Sequence, residues 1–260
     1  MVARASRPLN SASRRISSPD FVLRSSLVGR SGSALATVSG ETPETTGQRP
    51  VPPSKRISLG VIILAAGQSK RMGKPKLFLP WRNTTILGHL LERWQKLNSK
   101  QIAVVCATND AAVQAELDRQ NFPQDQRVIN PKPERGMFSS IQCAARWPGW
   151  KLELTHWIIT LGDQPQIREE TLRALLDFAR ANENKICQPR RNGHGRHPVV
   201  LPKFVFDALK NSSAENLKQF LQKYSADSTG FESDDAGLDV DLDTQDDYQR
   251  AVETFSSPSQ

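Results

Sequence analysis

The 260-residue chain is long enough for one large domain and a tail. Its formal net charge is +8, but residues 1–56 hold nine cations against three acids, a net of +6, so the basic balance does not point to a nucleic-acid-binding fold. No apolar run approaches the roughly 18 residues of a membrane helix, and Cys106, Cys143 and Cys187, without CxxC spacing, read as thiols of a reduced, cytoplasmic protein.

Residues 1–57 are rich in Ser, Arg, Pro and Thr and show no periodicity, which predicts a disordered extension. An Arg- and Ser-rich, acid-poor stretch also has the composition of an organelle transit peptide. From Ser58 the pattern alternates strand, loop and helix through residue 257. Gly60–Ala65 reads as a buried strand. Apolar spacing of three and four predicts a helix over Thr84–Leu97. A strand over Ile102–Ala107, a helix over Ala111–Arg119, a strand over Arg127–Asn130, a helix over Met137–Trp147 and a strand over Trp157–Leu161 follow. The helix predicted over Arg168–Arg180 carries Glu169 and Glu170 near its start, where the dipole favours anions. Lys185–Gln188 and Pro198–Leu201 bracket a polar turn and read as a hairpin-like pair. Helices over Lys203–Leu209 and Ala214–Lys223, a short strand over Asp239–Leu242 and a helix over Gln245–Phe255 complete the chain. This alternation predicts an α/β fold with three αβα layers: a mostly parallel, Rossmann-like sheet with a small antiparallel part.

The chemistry concentrates after the first strand, in Leu64-Ala65-Ala66-Gly67-Gln68-Ser69-Lys70-Arg71-Met72-Gly73-Lys74-Pro75-Lys76. Loops at the carboxyl ends of parallel strands are where such sheets bind ligands. Small residues there let backbone N–H groups approach an anion, and Lys70, Arg71, Lys74 and Lys76 add positive charge. Gly67 and Gly73 enclose five residues and are followed by Lys-Pro, which is not P-loop spacing, and Ala65-Ala66-Gly67 is not a dinucleotide fingerprint. A glycine loop alone need bind nothing; a loop crowded with cations points to a phosphate.

Asp163 follows an apolar strand and so lies at the same sheet edge. It reads either as a ligand of a Mg²⁺ ion shared with phosphate oxygens or as a turn aspartate before Pro165. Alternation places Asp239, Asp241 and Asp243 on one side of a short strand, where they share a cation or face solvent. Asp243-Thr244 also fits the cap of the last helix. Together these parts suit a triphosphate attacked at its α-phosphate by a second substrate, a reaction that rests on positioning and charge neutralisation. No Ser/His/Asp nucleophile is apparent.

These residues, with Leu79-Pro80-Trp81, closely resemble the signature of the MobA-like nucleotidyltransferases. The Ala-Ala-Gly and Pro-Lys forms favour the molybdenum cofactor cytidylyltransferase (MocA-type) branch. Further motifs match in order: Asn130 with Gly136-Met137-Phe138-Ser139-Ser140, Leu161-Gly162-Asp163-Gln164-Pro165, Gly195-Arg196-His197-Pro198, and Asp241-Leu242-Asp243-Thr244-Gln245-Asp246-Asp247-Tyr248. The resemblance implies a sheet of the nucleotide-diphospho-sugar transferase type and transfer of CMP from CTP to molybdopterin cofactor. It implies that Leu64, Ala65, Ala66, Gly67, Gly73, Lys76 and Asn130 bind the nucleotide. Arg71, Lys76 and Asp163 would be catalytic, with Asp163 and Asp241 holding Mg²⁺. Gly136, Met137, Ser139, Ser140 and His197 would meet the acceptor. A molybdenum hydroxylase is the implied client. Alternatives are another NTP or a sugar 1-phosphate acceptor on the same fold, or a cofactor-binding maturation protein without turnover. The chain departs from the family pattern at Arg196, an insertion before His197-Pro198, and at Gln245, where proline is usual.

Overall fold

The computed structural model describes residues 57–67, 72 and 75–256. The chain divides into two units, and every described residue lies in Pro50–Gln260; the other unit, Met1–Arg49, is outside them. The expectations for residues 1–56 and for Lys70, Arg71, Gly73 and Lys74 therefore lie outside the described residues. Among the described residues no helix is long and apolar enough to cross a membrane.

In chain order the elements are β1 (Leu59–Leu64), β2 (Pro80–Trp81), β3 (Thr84–Thr85), α1 (Ile86–Lys96), β4 (Gln101–Ala107), α2 (Ala111–Arg119), β5 (Arg127–Asn130) and α3 (Met137–Arg146). Then come β6 (His156–Leu161), α4 (Glu169–Ala181), β7 (Ile186–Arg191), β8 (His194–Gly195), β9 (Val199–Pro202), α5 (Lys203–Leu209), α6 (Leu217–Gln222), β10 (Ser228–Glu232) and α7 (Gln245–Phe255). An eight-stranded sheet runs β10-β7-β9-β6-β1-β4-β5, with β8 on β7. The β1–β4, β1–β6, β4–β5 and β7–β10 pairs are parallel, while β9 runs antiparallel to β6 and β7. This is the mostly parallel three-layer sheet with an antiparallel insert that the alternation predicts.

Successive side chains of a strand face opposite layers. Val61 and Ile63 pack with α1, α4 and α7 through Leu87, Trp94, Leu175 and Tyr248. Ile62 packs on the other face with α3, α5 and α6 through Ile141, Phe206 and Phe220. All three β1 residues are fully buried, as a central strand between two helical layers must be.

Four expectations are corrected. Thr84-Thr85 pairs with Pro80-Trp81 instead of opening α1, and the Thr85 side chain caps the helix by accepting from Gly88 N–H at 3.1 Å. The helix expected from Ala214 begins at Leu217, where Asn216 caps it. Ser228–Glu232 is an additional edge strand. Asp239–Leu242 is not a strand: a 3₁₀ turn over Ala236–Asp239 precedes an extended segment outside the sheet. Thr244 does cap α7, in a reciprocal capping box with Asp247.

Candidate active site

The carboxyl ends of β1 and β6 lie side by side, with Leu64 opposite Leu161. Gly162 N–H donates to the Leu64 carbonyl at 3.0 Å. A Cβ on Gly162 would stand 2.5 Å from that carbonyl oxygen, so only glycine fits this approach. The ends of the two strands and the loops leaving them form one wall of a cavity of about 480 Å³: Leu64 with Ala65, Ala66 and Gly67 at the end of β1, and Leu161 with Gly162 and Asp163 at the end of β6. Lys76 and Leu77 come from the turn before β2, and Pro133, Glu134, Gly136, Met137 and Ser140 from the β5–α3 connection. Gly136, the residue before α3, has φ +86°, a conformation that favours glycine. A Cβ at Gly67 or Gly136 would meet nothing within 4 Å, so both glycines border open space.

Electrostatics single out one corner of this cavity. The Lys76 ammonium pairs with Asp163 and stands 3.6 Å from Asp243. Asp241 belongs to the same cluster. Partial burial of its carboxyl, then the nearness of Asp163 and Asp243, push it above the usual carboxylate range, and Lys76 and Arg196 offset this only in part. Asp241 and Asp243 are outside the cavity lining and join the site through Asp163 and Lys76. Asp239, expected beside them, turns away. It accepts from Arg191 Nε at 2.8 Å and Arg196 Nε at 2.7 Å, because the 3₁₀ turn breaks the alternation that a strand would have imposed.

Two buried residues hold the Asp241 segment against the Asp163 segment. Gln166 Nε2 donates to the carbonyls of Gly237 (3.0 Å) and Val240 (2.8 Å). Asp235, fully buried, accepts from Arg168 N–H (2.8 Å), the Thr171 hydroxyl (2.7 Å) and Gly237 N–H (2.9 Å). Neither was singled out from the sequence. The available signal for Gln166 is its place three residues after Asp163, in the Gln164-Pro165-Gln166 stretch that follows the end of β6.

Asn130 is 1% exposed and lies beneath the β5–α3 connection. Its amide donates to the Ser139 (2.8 Å) and Ser140 (2.9 Å) hydroxyls and accepts from Lys132 N–H (2.9 Å). It therefore shapes the loop that carries Gly136 and Met137. His197 lies between Ile159 and Asp163. Burial lowers its pKa, against the opposing pull of the Ile159 carbonyl and Asp163. Arg196, the insertion before it, pairs with Asp239 and continues the β8 strand, its N–H donating to the Pro189 carbonyl at 2.9 Å.

The cavity thus offers a backbone-lined wall, a cation and a carboxylate, with two more carboxylates beside it. That set suits a phosphate chain and a hard cation. Among the described residues no group of three or more His, Cys, Asp or Glu side chains could hold a metal unaided. One or two carboxylates with phosphate oxygens and water is how Mg²⁺ is commonly bound, so the donor set fits. The thiols are poor nucleophiles: burial pushes Cys106 and Cys187 up to about 12 and also raises Cys143.

The model of the MobA-like NTP transferase domain matches residues 61–228. That span contains Lys76 and Asp163 and stops short of Asp241. The molybdenum cofactor cytidylyltransferase of Escherichia coli (strain K12) is 28% identical over 200 residues, 76% of this chain and 98% of that protein. A molybdenum cofactor guanylyltransferase of Pseudomonas putida is 28% identical over 174 residues, 66% of this chain and 84% of that protein. Among solved structures, Rv0371c from Mycobacterium tuberculosis H37Rv matches with a TM-score of 0.60 and 27% identity, covering 77% of this chain and all of that one. A structure of the same protein with manganese matches with a TM-score of 0.56.

Proposed function

We propose that this chain, which belongs to the MobA-like NTP transferase family and is a nucleotidyltransferase, transfers CMP from CTP to the phosphate of molybdopterin cofactor. An acceptor phosphate oxygen forms a bond to the α-phosphorus of CTP, the bond from that phosphorus to the bridging oxygen breaks, and pyrophosphate leaves. The observation that carries this reading is the gathering of Lys76, Asp163, Asp241 and Asp243 at one corner of a cavity bordered by the loops after β1 and β6. Such chemistry needs charge neutralisation and alignment and no protein nucleophile.

In this reading the backbone of Leu64–Gly67 approaches the nucleotide, with Gly73 completing the loop. Lys76 and Arg71 offset the charge of the phosphates as the α-phosphorus becomes five-coordinate. Asp163 and Asp241 hold Mg²⁺, which supplies further neutralisation of phosphate oxygens when bound. Asn130 acts through the β5–α3 connection that it supports. Gly136, Met137, Ser139, Ser140 and His197 face the pterin acceptor. Support for CTP comes from the Escherichia coli relative, and support for a divalent ion from the manganese complex of Rv0371c. The catalytic unit spans residues 58–257, works in the cytoplasm and serves a molybdenum hydroxylase.

Pyrophosphate release, measured with each of the four NTPs in the presence and absence of molybdopterin and Mg²⁺, tests the proposal. CTP with molybdopterin should give the highest turnover, and Asp163→Asn should abolish it with the melting temperature retained. Preference for GTP would sink the cytidylyl assignment. No release with any NTP would favour a binding protein.

A further inference from the structure

A second cavity, of about 350 Å³, lies among α1, the start of α4 and the end of α7, and shares no lining residue with the first. Its walls include Arg82, His89, Arg93 and Lys96. Arg93 is only 7% exposed, yet its Nη1 has no hydrogen-bond partner among the described residues. The other terminal nitrogen, Nη2, donates to the Pro165 carbonyl at 2.8 Å and to His89 Nε2 at 2.5 Å. A buried guanidinium with an unmatched donor is an unfavourable arrangement unless something supplies an acceptor.

The surroundings decide which kind of acceptor. Burial, then Arg93, Arg82 and Lys96, drives the His89 pKa down to about 3, and no carboxylate opposes them, so the potential at this end is positive. Carboxylates also stand near: Glu169, Asp235 and Glu170 offset part of the Arg93 charge from the α4 side, while the His89, Arg82 and Lys96 side has no such offset. Glu169 accepts from Arg173 at 3.0 Å, Arg168 is held by Asp234 and Asp235, and Glu92 and Glu170 are exposed. The N-terminus of the 13-residue α4 adds partial positive charge.

We propose that this cavity is an anion site that takes a phosphoryl group, free or as a monoester, through Arg93 with Arg82 and Lys96 as countercharge. The unmatched donors are the two N–H groups of Nη1, since both hydrogens of Nη2 are taken by Pro165 and His89, and phosphate offers several acceptor oxygens to such a group. One phosphoryl group matches the available charge; the exposed Glu92 and Glu170 work against a longer phosphate chain. Because Arg93 also holds the Pro165 carbonyl, the site adjoins the segment that carries Asp163.

The full chain, labelled with ¹⁵N-histidine and kept in EDTA without nucleotide, is titrated with inorganic phosphate and, separately, with glycerol 3-phosphate. Millimolar phosphate should shift the His89 ring resonances and raise the pH at which His89 titrates. Arg82 and Lys96 are exposed, so Arg82→Ala with Lys96→Ala keeps the fold; this pair should weaken binding roughly tenfold or more. Asp163→Asn should leave the affinity unchanged. Tighter binding of glycerol 3-phosphate would identify a monoester as the ligand, and equal or weaker binding the free anion. Unmoved His89 resonances, or equal affinity in the double variant, would overturn the site.

Discussion

The Lys76 ammonium pairs with the Asp163 carboxylate, tying the turn before β2 to the end of β6. Lys76 is 14% exposed and Asp163 27%, so the cost of desolvating the two charges offsets most of their attraction and leaves about 1 kcal/mol or less of net stability. In the proposed reaction its weight falls on the phosphates, where a cation beside developing charge is worth far more than in water. Lys76→Met should reduce pyrophosphate release by about 10²-fold or more. Its melting temperature should stay within a few degrees of the parent's, as a net contribution of this size implies. Turnover within tenfold of the parent would remove Lys76 from the machinery.

Asp235 has the opposite balance. It is fully buried and accepts three hydrogen bonds that join the start of α4 to the segment before Asp241. Asp235→Ala leaves the Arg168 and Gly237 N–H groups and the Thr171 hydroxyl without their acceptor. The expected loss is about 2–4 kcal/mol in urea unfolding. If Asp241 holds Mg²⁺ as proposed, Asp235 positions that ligand, and turnover at saturating Mg²⁺ should recover further than turnover at limiting Mg²⁺. A uniform loss at all Mg²⁺ concentrations would mean that Asp235 serves stability alone.

The framework of this fold is legible in the sequence where burial writes a pattern. Val61, Ile62 and Ile63 form an unbroken apolar run because both faces of β1 are covered, and Asp163 is conspicuous because it ends such a run. Pattern reading fails at the edges. β10 pairs only with β7 and buries none of Ser228–Glu232, so no alternation marks it. Asp239–Leu242 misleads for the converse reason. Leu238 and Leu242 both enter the core from a turn and an extended segment, and their spacing with Val240 imitates a strand. The contacts of Gln166 and Asp235 are long-range, and residue type alone carries no sign of them.

His89 makes the acid response specific. Burial and its cationic neighbours hold its pKa at about 3, far below its ordinary 6.5. A histidine with a depressed folded-state pKa contributes stability that is present above the unfolded value and lost as pH falls through the folded one. The parent should therefore lose stability progressively from about pH 6.5 down to about pH 3. His89→Gln keeps an acceptor for Arg93 and has no proton to gain, so its melting temperature should fall less steeply over that interval. Parallel melting curves for the two proteins between pH 6.5 and pH 4 would show that His89 is not held neutral by this environment.

Gly162 tests the geometry on which the cavity depends. Its Cβ position falls 2.5 Å from the Leu64 carbonyl oxygen and 3.3 Å from Leu77 Cδ2. The first neighbour is backbone of the central strand and has no room to retreat. Gly162→Ala must therefore push the ends of β1 and β6 apart, lengthening the 3.0 Å bond from Gly162 N–H to Leu64. Overpacking at such a contact costs about 1–3 kcal/mol. The larger consequence is chemical, because Asp163 follows directly and a displacement of about 1 Å at a reacting centre can cost about 10²-fold. Urea unfolding should show the modest destabilisation and pyrophosphate release the larger loss. A variant with parental turnover would show that Asp163 tolerates movement, and would set aside the close packing of the two strand ends as the device that aligns the site.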